Sequence, residues 1–315
     1  MQISCKDSKG ELVGKPDCDL SRKTILVLPC MLGNNDSPDI VLKYINNLES
    51  LLANTKNVNI CSASWSAHSD AKQEVINYNR NPTTYYNDDT KMLVDRVFMP
   101  ILRNKDRIPE LRNLTIFAAS YGSAQIGMLE NCLHKAMDCL GYSEDEQKKI
   151  IGKICAISIV PATNIYNKSA SFQQVLIAPT NDRVNSSVNL RARHITSRHD
   201  VEPSYQRING TGLLISAPIP TIKFDHGIIY DDEGHRPALV MKKGHKLPPD
   251  ILSTVLPVVL DNAVERETDL HDLTKLLKPR KPKATVAGQE GYGFTAQVSA
   301  SVLEDFLAKG GRATH

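Results

Sequence analysis

The stretch that most limits what this chain can become runs from Asn113 to Leu140: a short apolar run, a tight turn, then a long amphipathic segment. Residues 114–119 include Thr115, Ile116 and Phe117, which suit a buried pleat and predict a strand. Beyond Gly122 the apolar side chains recur at Ala124, Met128, Leu129, Cys132, Leu133, Ala136 and Leu140, the period of a helix with one buried stripe. Between strand and helix sits Ala118-Ala119-Ser120-Tyr121-Gly122. A serine on so sharp a turn must adopt a strained backbone, and small residues two positions to either side relieve the clashes. The helix that follows presents N–H groups and positive potential where a negative oxygen can develop. The same residues also fit a plain strand and helix, with Ser120 or Ser123 as the cap.

This pentapeptide resembles the nucleophile elbow of the α/β-hydrolase superfamily, G-x-S-x-G, with Ala118 in place of the first glycine. The resemblance spans about residues 24–270 and implies an α/β fold: a mostly parallel sheet with helices on both faces. It implies that Ser120 is the nucleophile. Pro29-Cys30-Met31-Leu32-Gly33-Asn34 looks like the family's oxyanion loop, with Cys30 and Met31 where His and Gly are common. The N–H groups of Leu32 and Tyr121 would then hold the oxyanion, each such donor being worth roughly 2.7–4 kcal/mol in the transition state. The family's order is serine, acid, histidine. Asp200, three residues ahead of Pro203, is the first choice of acid. Asp182 in the Asn181-Asp182-Arg183-Val184 turn is the second, because residues 160–194 leave room for a crossover helix. His226 is the first choice of base, His245 the second, and His235 a weaker third.

The implied activity is that of a lipase- or esterase-like serine hydrolase. It would cleave a carboxylic ester or thioester through an acyl-enzyme, with a small-molecule or lipid acyl ester as substrate and no cofactor. Two other classes fit the same residues. One is a catalytically silent α/β-hydrolase scaffold used for binding; the other is an acyltransferase with the same triad.

Residues 1–23, polar and interrupted by Gly10, Gly14 and Pro16, read as an irregular N-terminal arm. The main domain is expected over 24–277. It opens with a buried strand at 24–29 and a helix from Pro38 to about Leu52 with Ser37 as its cap. A strand at 58–62, a helix at 89–102 and a strand at 154–160 follow. A capped turn of helix begins at Ser143. The Asn- and Tyr-rich stretch 65–88 reads as a loop insertion, and with 163–190 it is a candidate lid. Within the latter, residues 175–179 fit either a short strand or a helix end. A strand is expected at 193–197, extended segments at 212–219 and 222–229, and a last helix from Leu252. The basic, proline-broken run 278–283 opens a flexible tail, 278–315.

Hydrophobic content of 41% and charged content of 23% are those of an ordinary globular chain. A net charge of +3 and only 5% aromatic residues argue against nucleic acid as a partner. No run approaches the ~18 apolar residues that span a bilayer, and the N-terminus lacks an apolar signal core. The seven cysteines show neither disulfide nor zinc spacing and read as reduced, mostly buried thiols. That composition suits a cytoplasmic protein, or one exported without a cleaved signal peptide. No histidine spacing suggests a metal, and neither phosphate-binding nor dinucleotide-binding glycine motifs occur.

Overall fold

The computed structural model describes residues 2–7, 9–28, 38–52, 57–64, 71–159, 161, 171–179, 204–208, 212–217 and 249–266. Four strands in it are buried along their whole length: β3 (Thr24–Leu28), β4 (Asn59–Ser64), β5 (Leu114–Ala119) and β6 (Cys155–Ile159). Strands buried from end to end in this way belong to a sheet covered on both faces. Five further strands flank them: β1 (Gln2–Lys6), β2 (Leu12–Lys15), β7 (Gln173–Pro179), β8 (Ser204–Ile208) and β9 (Gly212–Ala217). Among the described residues all nine form one sheet in the order β2-β1-β4-β3-β5-β6-β7-β9-β8. From β4 through β9 the pairs are parallel; β1 and β2 at one side and β8 at the other are antiparallel. The architecture is therefore α/β with a mixed, mostly parallel sheet.

Alternation along each strand splits the core in two. Ile25, Val27, Phe117 and Ala119 point to a layer made by α1 (Pro38–Leu51) and α7 (Pro249–Glu265). Leu26, Leu28, Ile116 and Ala118 point to the other face. That face is covered by α5 (Tyr121–Cys139) and by α3 (Asp88–Leu93), which runs through a π-helical turn at Val94–Phe98 into α4 (Met99–Leu102). The helix expected at 89–102 is thus present with an extra-wide turn in its middle, and Val94, Val97, Phe98 and Ile101 are buried in it. α6 (Glu144–Ile151) starts with the expected capping box between Ser143 and Glu146.

Three expectations need correcting. The N-terminal segment is not an irregular arm: β1 and β2 pair as a hairpin, and β1 also pairs with β4. Asp7 accepts hydrogen bonds from the N–H groups of Lys9 and Glu11, and Gly10 takes a φ of 84°, so side-chain capping and a left-handed glycine close the turn. Nor are all the cysteines reduced. Cys5 and Cys61 face each other across the β1–β4 ladder and are joined in a disulfide. Cys18, Cys132 and Cys155 are buried thiols as expected, whereas Cys139 is exposed. Finally, the 65–88 stretch is not only a loop but contains a helix, α2 (Ala71–Arg80); of the two alternatives open for 175–179 the strand is the one present, as part of a parallel strand over 173–179 beside β6. The strand expected at 193–197, the Ser37 cap, the segment 222–229 and the 278–315 tail lie outside the described residues.

Candidate active site

The parallel strands all end on one edge of the sheet, and the turn after β5 lies at the middle of that edge. Ser120 has φ 50° and ψ −114° there, a combination that a residue with a Cβ seldom adopts. Both sides of its backbone are held. Its N–H donates to the Ile159 carbonyl at the end of β6 (3.0 Å). Its carbonyl accepts from the Ser123 N–H (3.1 Å) and from the Ser123 hydroxyl. The sheet fixes one peptide group and the first helical turn fixes the other, so the strain is imposed by the surroundings. The hydroxyl makes no capping bond to α5. That removes the plain reading of Ser120 as the helix cap; Ser123 uses its hydroxyl on the Ser120 carbonyl instead.

Tyr121 opens α5, and N–H groups in the first turn of a helix have no intrahelical acceptor. Its phenol is buried, which pushes its pKa up; the nearby Glu74 carboxylate adds to that shift, and Gln125 partly offsets it. Gln125 lies beside this phenol, yet neither of its amide atoms reaches hydrogen-bond geometry. The expectation of a single buried stripe on α5 is too modest. Every residue from Tyr121 to Leu133 is buried, because α2 and α3 cover the side that the sheet does not.

Small residues make this possible. Tyr78 of α2 seats its hydroxyl over Gly127, where any Cβ would overlap it. The segment joining α2 to α3 is tied down as well. The Tyr85 hydroxyl donates to Glu74 (2.7 Å), and Asn131 of α5 donates to the carbonyls of Pro82 (3.1 Å) and Tyr85 (2.8 Å). The described part of the expected lid is therefore a docked helix and a braced connection. Sequence reasoning missed it: α2 has mostly polar residues, and Tyr78 acquires its meaning only through a glycine 49 positions later.

Leu32, Asp182, Asp200, His226, His235 and His245 lie outside the described residues. The strand ends next to them in sequence do not. Leu28 closes β3, Pro179 closes β7 and Ala217 closes β9, all on the Ser120 edge. Antiparallel β8 begins there, since Ser204 pairs with Ser216. Among the described residues the one histidine, His134, bonds to Gln147 and Ser171 and is not a partner for Ser120.

Among the described residues no group of histidine, cysteine and carboxylate side chains is arranged to hold a metal, and no helix is long and apolar enough to cross a membrane. No protein-family model matches the chain, and no curated protein matches it either.

Proposed function

We propose that the chain is a serine hydrolase of the α/β-hydrolase type that cleaves carboxylic esters or thioesters through an acyl-enzyme on Ser120. One observation carries the reading: a serine with positive φ, gripped on both sides, between the central strand of a mostly parallel sheet and the start of a buried helix. Such strain has a cost of order 1–3 kcal/mol and persists where it serves a purpose. Here the hydroxyl is not spent on capping α5, and the next residue, Tyr121, opens the helix with an N–H that has no intrahelical acceptor.

In this mechanism a histidine takes the Ser120 proton as the hydroxyl attacks the acyl carbon. The oxyanion is held by the N–H groups of Tyr121 and Leu32, and water then releases the acyl group. Sequence distances support the partners. Leu32 is four residues past Leu28, Asp182 three past Pro179, and His226 nine past Ala217. Each is tethered to a strand that ends on the Ser120 edge. Asp200 is four residues ahead of Ser204, which lies on that edge. Its preference rested on a crossover helix where β7 in fact lies, so Asp182, which directly follows a parallel strand, becomes the first choice of acid and Asp200 the second. His226 remains the first choice of base.

The test is hydrolysis of a series of p-nitrophenyl esters, from acetate to laurate. The intact protein should turn over at least one of them, and Ser120→Ala should lower kcat by roughly 10⁴–10⁶. Equal rates in the two proteins would remove Ser120 from the chemistry.

A further inference from the structure

A second serine meets an imidazole on the opposite edge of the sheet. Ser171 precedes β7 by two residues, and its hydroxyl lies 3.3 Å from Nε2 of His134. Nδ1 of His134 is 2.7 Å from Oε1 of Gln147. The direction of proton flow follows from Gln147. Its Nε2 donates to Asp138 Oδ1 (2.7 Å) and to the Tyr142 carbonyl (3.0 Å), so its oxygen is the atom turned to the ring. An amide oxygen only accepts, so Nδ1 carries the hydrogen and Nε2 offers its lone pair to the Ser171 hydroxyl. Hydroxyl, base and orienting group stand in the order that activates a serine. Ser171 and His134 are both partly exposed.

We propose that Ser171, His134 and Gln147 form a second nucleophilic serine site, one that accepts a neutral acyl group from an activated ester or thioester and keeps it. Ser171 Oγ bonds to the acyl carbon while its proton passes to His134 Nε2. Collapse of the tetrahedral adduct breaks the bond to the leaving alkoxide or thiolate, which takes that proton. The products are O-acyl-Ser171 and an alcohol or thiol. Glu130 sets the two limits. Its Oε1 accepts the Ser171 N–H at 2.6 Å, so that N–H is not available to an oxyanion in either step; a good leaving group carries acylation through, whereas hydrolysis has to expel the poorer serine alkoxide and is slow. The same carboxylate disfavours an anionic group such as a phosphoryl on the neighbouring oxygen.

The experiment uses full-length Ser120→Ala protein and p-nitrophenyl acetate, so its outcome does not depend on the reading of Ser120. Peptide mapping by mass spectrometry should find a stable acetyl group on Ser171, absent when Ser171 is also changed to Ala. His134→Gln keeps a hydrogen-bonding side chain but no basic nitrogen, and should slow the labelling about a hundredfold. Gln147→Met, which frees the ring to change tautomer, should slow it as well; thermal melts identify a variant that fails to fold. No acetyl group on Ser171, or equal labelling rates in folded His134→Gln or folded Gln147→Met, would overturn the proposal.

Discussion

Ser120 and Ser171 stand at opposite edges of one sheet, and each has a half of what an acyl-transfer site needs. Ser120, at the carboxyl edge, has a strained backbone and the open N-terminus of a long buried helix. Ser171, at the amino edge, has an oriented imidazole within reach, but its own N–H is taken by Glu130. In the proposed mechanisms the first arrangement would stabilise charge that develops in a transition state, and the second would supply a proton acceptor in the ground state. Stabilising the developing charge is usually the larger contribution to rate. On the two proposals, Ser120 would turn over with a base supplied from elsewhere in the chain, whereas Ser171, whose own N–H is engaged by Glu130, would stop at a single acylation.

The largest expected effects fall on the base and acid that would complete Ser120. His226→Ala should cost roughly 10⁴–10⁶ in kcat for ester hydrolysis and Asp182→Asn about 10⁴, with His245→Ala and Asp200→Asn close to the parent protein. Reversal within either pair would reassign that role and leave Ser120 in place.

Breaking the Cys5–Cys61 disulfide comes next and should touch neither serine. It closes a separation of 56 residues, for which chain entropy gives about 4 kcal/mol. Thiol titration of the unfolded protein should gain two thiols on reduction. The paired Cys5→Ser and Cys61→Ser variant should melt lower while the Ser120 to Ser171 reactivity ratio stays constant below the melt.

Gly127→Ala acts on the packing of α2 against α5. It pushes against the Tyr78 hydroxyl and should destabilise by about 1–3 kcal/mol. Tyr78→Phe, which removes that oxygen, should recover part of the loss in a double-mutant cycle.

The smallest effect concerns the Ser171 side, where the capping box sets the start of α6 and so the position of Gln147. The Ser143 N–H and then its hydroxyl hold the Glu146 carboxyl below its usual 4.5. A carboxyl lowered on folding stabilises above its unfolded pKa, and that contribution is lost as pH falls through the folded value. Glu146→Gln should therefore melt slightly lower than the parent at pH 7, and the gap should shrink as pH falls below the usual carboxylate range.

The centre of the fold was legible because local and global signals agree there. β3, β5, β6 and α5 announce themselves by unbroken apolar runs and a helical period, and α6 by its capping box. The flanks were harder for physical reasons. β1 and β2 are short, β2 is the edge strand and half-exposed or exposed along its length, and the Ile3-Ser4-Cys5 alternation of β1 was too brief to outweigh the glycines around it. β7 begins with Gln173 and Gln174, so its apolar part alone was too short to tell from a helix end. Ser120 was readable from its small neighbours, because the strained turn demands them locally. The Ser171–His134–Gln147 relay was not, since it joins residues 37 and 13 positions apart that share no motif.

Reaction with a fluorophosphonate followed by peptide mapping tests the central claim most directly, since it reads the reactivity of one oxygen. The account predicts a phosphonyl adduct on the peptide containing Ser120, formed in the intact protein and missing from that peptide in Ser120→Ala. A folded protein whose Ser120 peptide stays unlabelled at reagent excess would contradict it.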